Sequence, residues 1–90
     1  MPRVKILLFA SLRDKYGVKE IEVETNGSLR EAIENASKKL GSDFISEVFD
    51  NGSYRSDRLI FVNGRHIQFL GNVILQDGDV IAIFPPIAGG

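Results

Sequence analysis

Ser28-Leu29-Arg30-Glu31-Ala32-Ile33-Glu34-Asn35-Ala36-Ser37-Lys38-Lys39-Leu40-Gly41 reads as a helix with both ends marked. Ser28 and Glu31 have the spacing of a capping box, with Ser28 at N-cap and Glu31 at N3. Leu29, Ala32, Ile33, Ala36 and Leu40 recur at helical spacing and make one apolar stripe. Gly41 supplies the stop. A helix with a single apolar face needs a sheet to lie on, and the flanking sequence offers the strands.

Upstream, Arg3 to Phe9 is apolar and β-rich, with Val4, Ile6 and Leu8 on one face and Leu7 and Phe9 on the other. Ala10 to Gly17 breaks the pattern as a short helical turn closed by Gly17. In Val18 to Glu24, Ile21 and Val23 alternate with Glu20, Glu22 and Glu24, the pattern of a half-buried strand with its glutamates facing water. The short link between the two strands favours an antiparallel hairpin. Thr25-Asn26-Gly27 then breaks the chain ahead of the helix.

Downstream, Phe44, Ile45, Val48 and Phe49 fit a second short helix started by Ser42 or Asp43. Asp50-Asn51-Gly52-Ser53 is a turn cluster, and Tyr54 to Arg58 reads as a polar surface loop. Leu59 to Val62 is a strand, Asn63-Gly64 a two-residue hairpin signal, and Arg65 to Phe69 a returning strand. Gln76-Asp77-Gly78-Asp79 is a turn. Val80 to Phe84 is unbroken apolar sequence, as expected of a central strand buried on both faces. A first hairpin, a crossover helix and a return to the sheet predict a last strand parallel to the first. The outline is an α+β β-grasp: a mixed five-stranded sheet with one main helix packed on one face. A ferredoxin-like arrangement would need a second full helix late in the chain, and residues 63 to 79 are too rich in turns to supply it.

Ninety residues make one domain, 43% apolar and 26% charged, as in ordinary globular chains. Eleven basic and twelve acidic residues nearly cancel, so there is no electrostatic footprint for nucleic acid or anionic membrane. There is no apolar run long enough to span a bilayer and no signal-peptide pattern, so the expectation is a cytoplasmic protein. The absence of cysteine excludes disulfides, thiolate zinc sites and a cysteine nucleophile.

Phe84-Pro85-Pro86-Ile87-Ala88-Gly89-Gly90 closes the sequence. Prolines fix φ and lack the N–H, so a strand stops at Phe84 and the backbone leaves as a stiff extended spacer. The division is a domain at 1–84 and a tail at 85–90. Extended, Ile87 to Gly90 reach about 13 Å. Gly89 and Gly90 carry no side chain, so a carboxylate at Gly90 can enter a channel too narrow for most residues. An α-carboxylate is ionised at neutral pH. It can attack an activated phosphate to give a mixed anhydride, which sulfide, a thiol or an amine then opens. That chemistry needs a partner that binds ATP; this chain supplies slimness and reach. The competing reading is a frayed terminus.

Two stretches carry a family resemblance. Leu8-Phe9-Ala10-Ser11-Leu12-Arg13 and, more specifically, Leu75 to Gly90 resemble the first strand and the C-terminal signature of the MoaD/ThiS ubiquitin-like proteins. The resemblance is nearest to MoaD, the small subunit of molybdopterin synthase. Arg58-Leu59-Ile60-Phe61 also resembles a strand of ubiquitin. Residues 41 to 58 depart from the shorter bacterial pattern and look like an insertion. The resemblance implies that Gly90 is adenylated by a MoeB-like ubiquitin-activating-type enzyme using ATP, and then becomes a thiocarboxylate. It implies transfer of that sulfur to a pterin inside a MoaE-type large subunit, with Gly89 giving the slim approach. Pro85, Pro86, Ile87 and Ala88 would form the docking arm, and Phe9, Phe84 and Arg13 would meet the partner. The chain would not be catalytic alone and would bind no cofactor.

Each of these has a plainer reading. Phe9 and Phe84 could be core residues, and Arg13 a solvated loop charge. Asp77-Gly78-Asp79 is a structural turn without the ligand count for calcium, and His66 a surface side chain without a metal partner. No Gly-rich loop joins a strand to a helix, so no nucleotide site is expected. Three functions stay open: a sulfur carrier, a protein modifier joined to target lysines through the same activated tail, and a binding module with an inert tail.

Overall fold

The computed structural model describes residues 1–86. The expected helix is α2, Leu29–Leu40, capped by Ser28 and ended at Gly41. The Ser28 hydroxyl accepts from the Glu31 N–H at 3.0 Å, the first half of a capping box. The second half is displaced by two residues. The Glu31 carboxylate accepts from the Asn26 N–H at 2.7 Å, while the Asn26 side chain accepts from the Ser28 N–H at 3.0 Å. Leu29, Ala32, Ile33 and Ala36 are buried, so the apolar stripe faces the sheet as read.

Five strands make that sheet, in the order β2-β1-β7-β5-β6. They are β1 (Arg3–Leu8), β2 (Glu20–Glu24), β5 (Leu59–Val62), β6 (Arg65–His66) and β7 (Val80–Phe84). β2 runs antiparallel to β1, and β7 lies parallel to β1 with Ile6 level with Ile81. Crossover by α2 places the last strand beside the first, at the centre, which is the β-grasp topology. Val4, Ile6, Leu8, Ile60, Ile81 and Ile83 are at most 1% exposed and pack beneath α2. Each such side chain contributes about 1.5–3 kcal/mol by leaving water. Between β1 and β2 the chain forms α1, Ser11–Tyr16, closed by Gly17 at φ 74°, a left-handed position that a side chain would strain.

The returning strand is shorter than expected. Asn63-Gly64 makes the tight hairpin, both residues having positive φ, but β6 ends at His66. Residues Ile67–Phe69 curl into a 3₁₀ turn, because the His66 side chain accepts from the Gln68 N–H and caps it.

The segment at 41 to 58 contributes side chains to the core. A 3₁₀ turn at Ser42–Phe44 leads into α3, Ile45–Val48, and buries Phe44 and Val48 completely. The expected turn cluster at Asp50 to Ser53 is the tip of a small hairpin, β3 (Phe49–Asp50) and β4 (Ser53–Tyr54), with Phe49 stacked on Tyr54. Glu47 ties the segment to the rest. Its carboxylate accepts from Arg58 Nη2 at 2.7 Å and from Lys15 Nζ of α1 at 2.6 Å. Burial alone would raise the Glu47 carboxyl; the Lys15 and Arg58 hydrogen bonds outweigh it and hold the group below its usual range. Tyr16 meets Phe44 edge-on at 5.3 Å and donates to Asp43, and burial pushes its phenol up to about 12.

Candidate partner face and tail exit

Side chains alternate across a strand. Inward residues of β1 and β7 face α2, so Leu7, Phe9, Val80, Ala82 and Phe84 face the other way. Leu7, Phe9, Val80, Ala82 and Phe84 are all half-buried. Among the described residues no helix lies on this second face. β7 is central as expected, but it is covered on one face only, which corrects the expectation of burial on both. Its outer positions, Val80, Ala82 and Phe84, are apolar and half-buried.

An aromatic row crosses this face. Phe9 and Phe84 stack with ring centroids 4.2 Å apart and planes 10° from parallel. Phe61 meets Phe84 edge-on at 5.6 Å. His66 meets Phe61 at 5.3 Å, and Phe69 meets His66 at 6.0 Å. Phe69 is 79% exposed. Phe9 and Phe84 are therefore neither core nor loose: each braces the other and presents a remaining edge.

Arg13 closes the row at its other end. It lies in α1, half-buried, with its guanidinium carbon 5.6 Å from the Phe9 ring centroid. Its Nε donates to the Leu8 carbonyl at 3.2 Å. The plain reading of Arg13 as a solvated loop charge is thus corrected: α1 and the Phe9 ring hold it in place. His66 likewise is a half-buried member of the row whose Nδ1 accepts from the Gln68 N–H at 3.1 Å. Leu7, Phe61, Ala82 and Phe69 were missed by the sequence reading. The available signal was apolar residues at the outward positions of half-buried strands.

The tail starts at this face. β7 ends at Phe84, Pro85 is half-buried and Pro86 is exposed. Ile87, Ala88, Gly89 and Gly90, where the tail chemistry was expected, lie outside the described residues. The Asp77-Gly78-Asp79 turn is structural as read. The Asp77 carboxylate accepts from the Arg3 N–H, and that of Asp79 from the Gln76 N–H and the Asn63 side chain. Among the described residues no three His, Cys, Asp or Glu side chains are grouped to hold a metal ion. Nor is any helix there long and apolar enough to cross a membrane.

A mixed β-grasp sheet with one covering helix, an uncovered apolar face and a proline-led tail leaving that face define a ubiquitin-like small carrier or modifier. The chain belongs to the ThiS family, whose model matches residues 6–90. It is similar to a Pyrococcus furiosus protein provisionally assigned as molybdopterin converting factor subunit 1. That structure is 38% identical, covers 97% of this chain and 100% of its own, and superposes with a TM-score of 0.71. The solution structure of small archaeal modifier protein 1 from Methanosarcina acetivorans is 26% identical over 100% of this chain and 98% of its own, with a TM-score of 0.81. Small archaeal modifier protein 3 of Haloferax volcanii is 24% identical, covering 97% of this chain and 98% of its own.

Proposed function

We propose that the chain is a sulfur carrier, the small subunit of a molybdopterin synthase, working through the carboxyl group of Gly90. One observation carries the reading: the tail leaves β7 at Phe84, inside the aromatic row on the uncovered sheet face. A protein seated on that face receives the tail in its own active site. In the first step a Gly90 carboxylate oxygen attacks the α-phosphorus of ATP held by a MoeB-like enzyme, and pyrophosphate leaves. Sulfide-level sulfur then attacks the acyl carbon of the adenylate, AMP leaves, and Gly90 carries a thiocarboxylate. In a MoaE-type subunit the sulfur passes to the pterin precursor, and water restores the carboxylate. Gly89 keeps the approach narrow, and Pro85, Pro86, Ile87 and Ala88 set the reach.

The test is the intact mass of the chain isolated from cells that also contain the activating enzyme. The reading expects a fraction of chains heavier by one oxygen-to-sulfur exchange at Gly90. Unmodified chains alone, in the presence of an active partner enzyme, would sink it.

A second reading is favoured by the relatives that are named small archaeal modifier proteins. The same acyl-adenylate, passed to an amine, gives an amide with a lysine of a target protein. Lysine peptides carrying a Gly-Gly remnant from this chain would mark that branch, and the mass experiment separates it from the carrier.

A further inference from the structure

β2 lies at the rim of the sheet, and a rim strand offers a row of unpaired backbone groups to any other strand. The Leu8 N–H donates to the Lys19 carbonyl and the Thr25 N–H to the Pro2 carbonyl. Odd-numbered residues of β2 therefore turn their backbone groups toward β1, and by the antiparallel alternation Glu20, Glu22 and Glu24 turn theirs outward. Two of those outward carbonyls are occupied by side chains of α2. Lys39 Nζ donates to the Glu22 carbonyl at 2.8 Å, and Asn35 Nδ2 donates to the Glu24 carbonyl at 2.7 Å. The match is geometric. Residues four apart on a helix rise about 6 Å, and carbonyls two apart on a strand lie about 6.8 Å apart. Asn35 and Lys39 thus stand where the backbone amides of a sixth strand would.

Charge acts in the same direction. Glu20, Glu22 and Glu24 are all exposed. If β2 paired antiparallel with the β2 of a second copy about Glu22, Glu20 would face Glu24 and Glu22 would face Glu22. Every pair on the outer face would then be glutamate on glutamate, which destabilises, while Ile21 would face Val23 on the other. Lys5 and Arg3 of β1 pair with Glu20 and Glu24; among the described residues Glu22 has no ion pair. The opposite rim is managed by brevity, since β6 has two residues before the chain curls away.

We propose that Asn35, Lys39 and the Glu20–Glu22–Glu24 row are an edge guard that prevents β2 from pairing with β2 of a second copy. The guard leaves the uncovered sheet face and the tail as the surfaces through which the chain meets other proteins. The test is sedimentation velocity over a concentration series on the full chain. The variant Asn35→Ala/Lys39→Ala/Glu22→Thr, with the edge opened, should double in mass where the natural sequence keeps the mass of one chain. Replacing Glu22 by Pro in place of Thr removes an outward N–H without touching the β1 ladder, and should restore the single-chain mass. In the opened variant the backbone amides at position 22 and at Glu24 should gain exchange protection with concentration. Equal masses for the opened variant and the natural chain would overturn the proposal. So would association that the proline leaves intact, since pairing would then run through another surface. Should the triple variant melt early, Lys39→Ala/Glu22→Thr, which keeps Asn35, must still associate more than the natural chain or the proposal fails.

Discussion

The rings of Phe9 and Phe84 lie face to face at 4.2 Å, one at the end of β1 and the other at the end of the parallel β7. The pair joins the strand that carries the tail to the turn that carries Arg13. Aromatic residues braced in this way are favoured anchors at interfaces, and truncating an anchor costs about 2 kcal/mol of binding or more, roughly thirtyfold in affinity. Phe9→Ala should therefore weaken capture by the tail-activating enzyme by about that factor, while costing the fold about 1 kcal/mol from the lost ring pair and about as much again from the apolar area of a half-buried ring. Ile74→Ser is the control: Ile74 is 73% exposed but stands outside the row. Affinities measured by titration calorimetry should separate the two variants. Equal, small effects would remove the uncovered face from the interface.

The tail separates chemistry from folding. Deletion of Gly90 should abolish ATP-pyrophosphate exchange by the activating enzyme, and so should addition of one residue after it, because the attacking carboxylate moves by one residue, about 3.5 Å. Neither change touches Val4, Ile6, Ile81 or the other core side chains, so the melting temperature should not move. Exchange that persists after the addition would show that the reacting group lies elsewhere.

The α2 stripe and the antiparallel first hairpin were legible because each rests on local periodicity. So was the parallel central β7, which follows from its apolar run and the crossover. What escaped depended on partners distant in sequence. Phe61 joins the row only because β5 lies beside β7, and His66 joins only because the Asn63-Gly64 hairpin folds it back. The shortened β6 was hidden for a similar reason, since a side-chain cap from His66 outweighs the strand preference of Ile67 and Phe69. Glu47, in a segment read as an insertion, gave no sign of burial, because its partners Lys15 and Arg58 lie 32 and 11 residues away.

Ala10 has φ 52° and ψ −128°, a region that glycine occupies freely and alanine does not. It sits between Phe9 and α1, and its carbonyl accepts from the Arg13 and Asp14 N–H groups. That turn is what brings Arg13 back over Phe9. Strain of this kind costs about 1–3 kcal/mol, against about 0.5–1 kcal/mol for the extra freedom of glycine in the unfolded chain. Ala10→Gly should therefore stabilise the protein by about 1 kcal/mol on balance, and Ala10→Val, with a branched side chain in the same conformation, should destabilise it by more than that. Urea denaturation of the two variants gives both signs. A stability loss with glycine would mean that the turn is unstrained.

Glu47 makes stability depend on acid. Its carboxyl is held below the usual range in the folded protein by Lys15 and Arg58, so the unfolded chain takes up a proton first as pH falls. The contribution is fully present above the ordinary glutamate pKa, about 4.3, and is lost as pH drops through the lower folded value. Asp43, held down by the Lys15 hydrogen bond, and Asp57, held down by that of Arg55, act in the same direction. Glu47→Ala takes the carboxylate from Nη2 of the Arg58 guanidinium, 9% exposed, and leaves it only the half-exposed Asp57, 3.2 Å from Nη1. Breaking a fully buried pair from one side costs about 3–5 kcal/mol. With Asp57 still beside Arg58 and Lys15 half-exposed, the loss should fall below that range, at about 2 kcal/mol, against the roughly 5–13 kcal/mol expected for a domain of this size. Urea midpoints at neutral pH should fall accordingly, and the loss of stability between mildly acid and strongly acid pH should become shallower than in the natural chain. An unchanged acid limb would mean that Glu47 titrates alike in the folded and unfolded states.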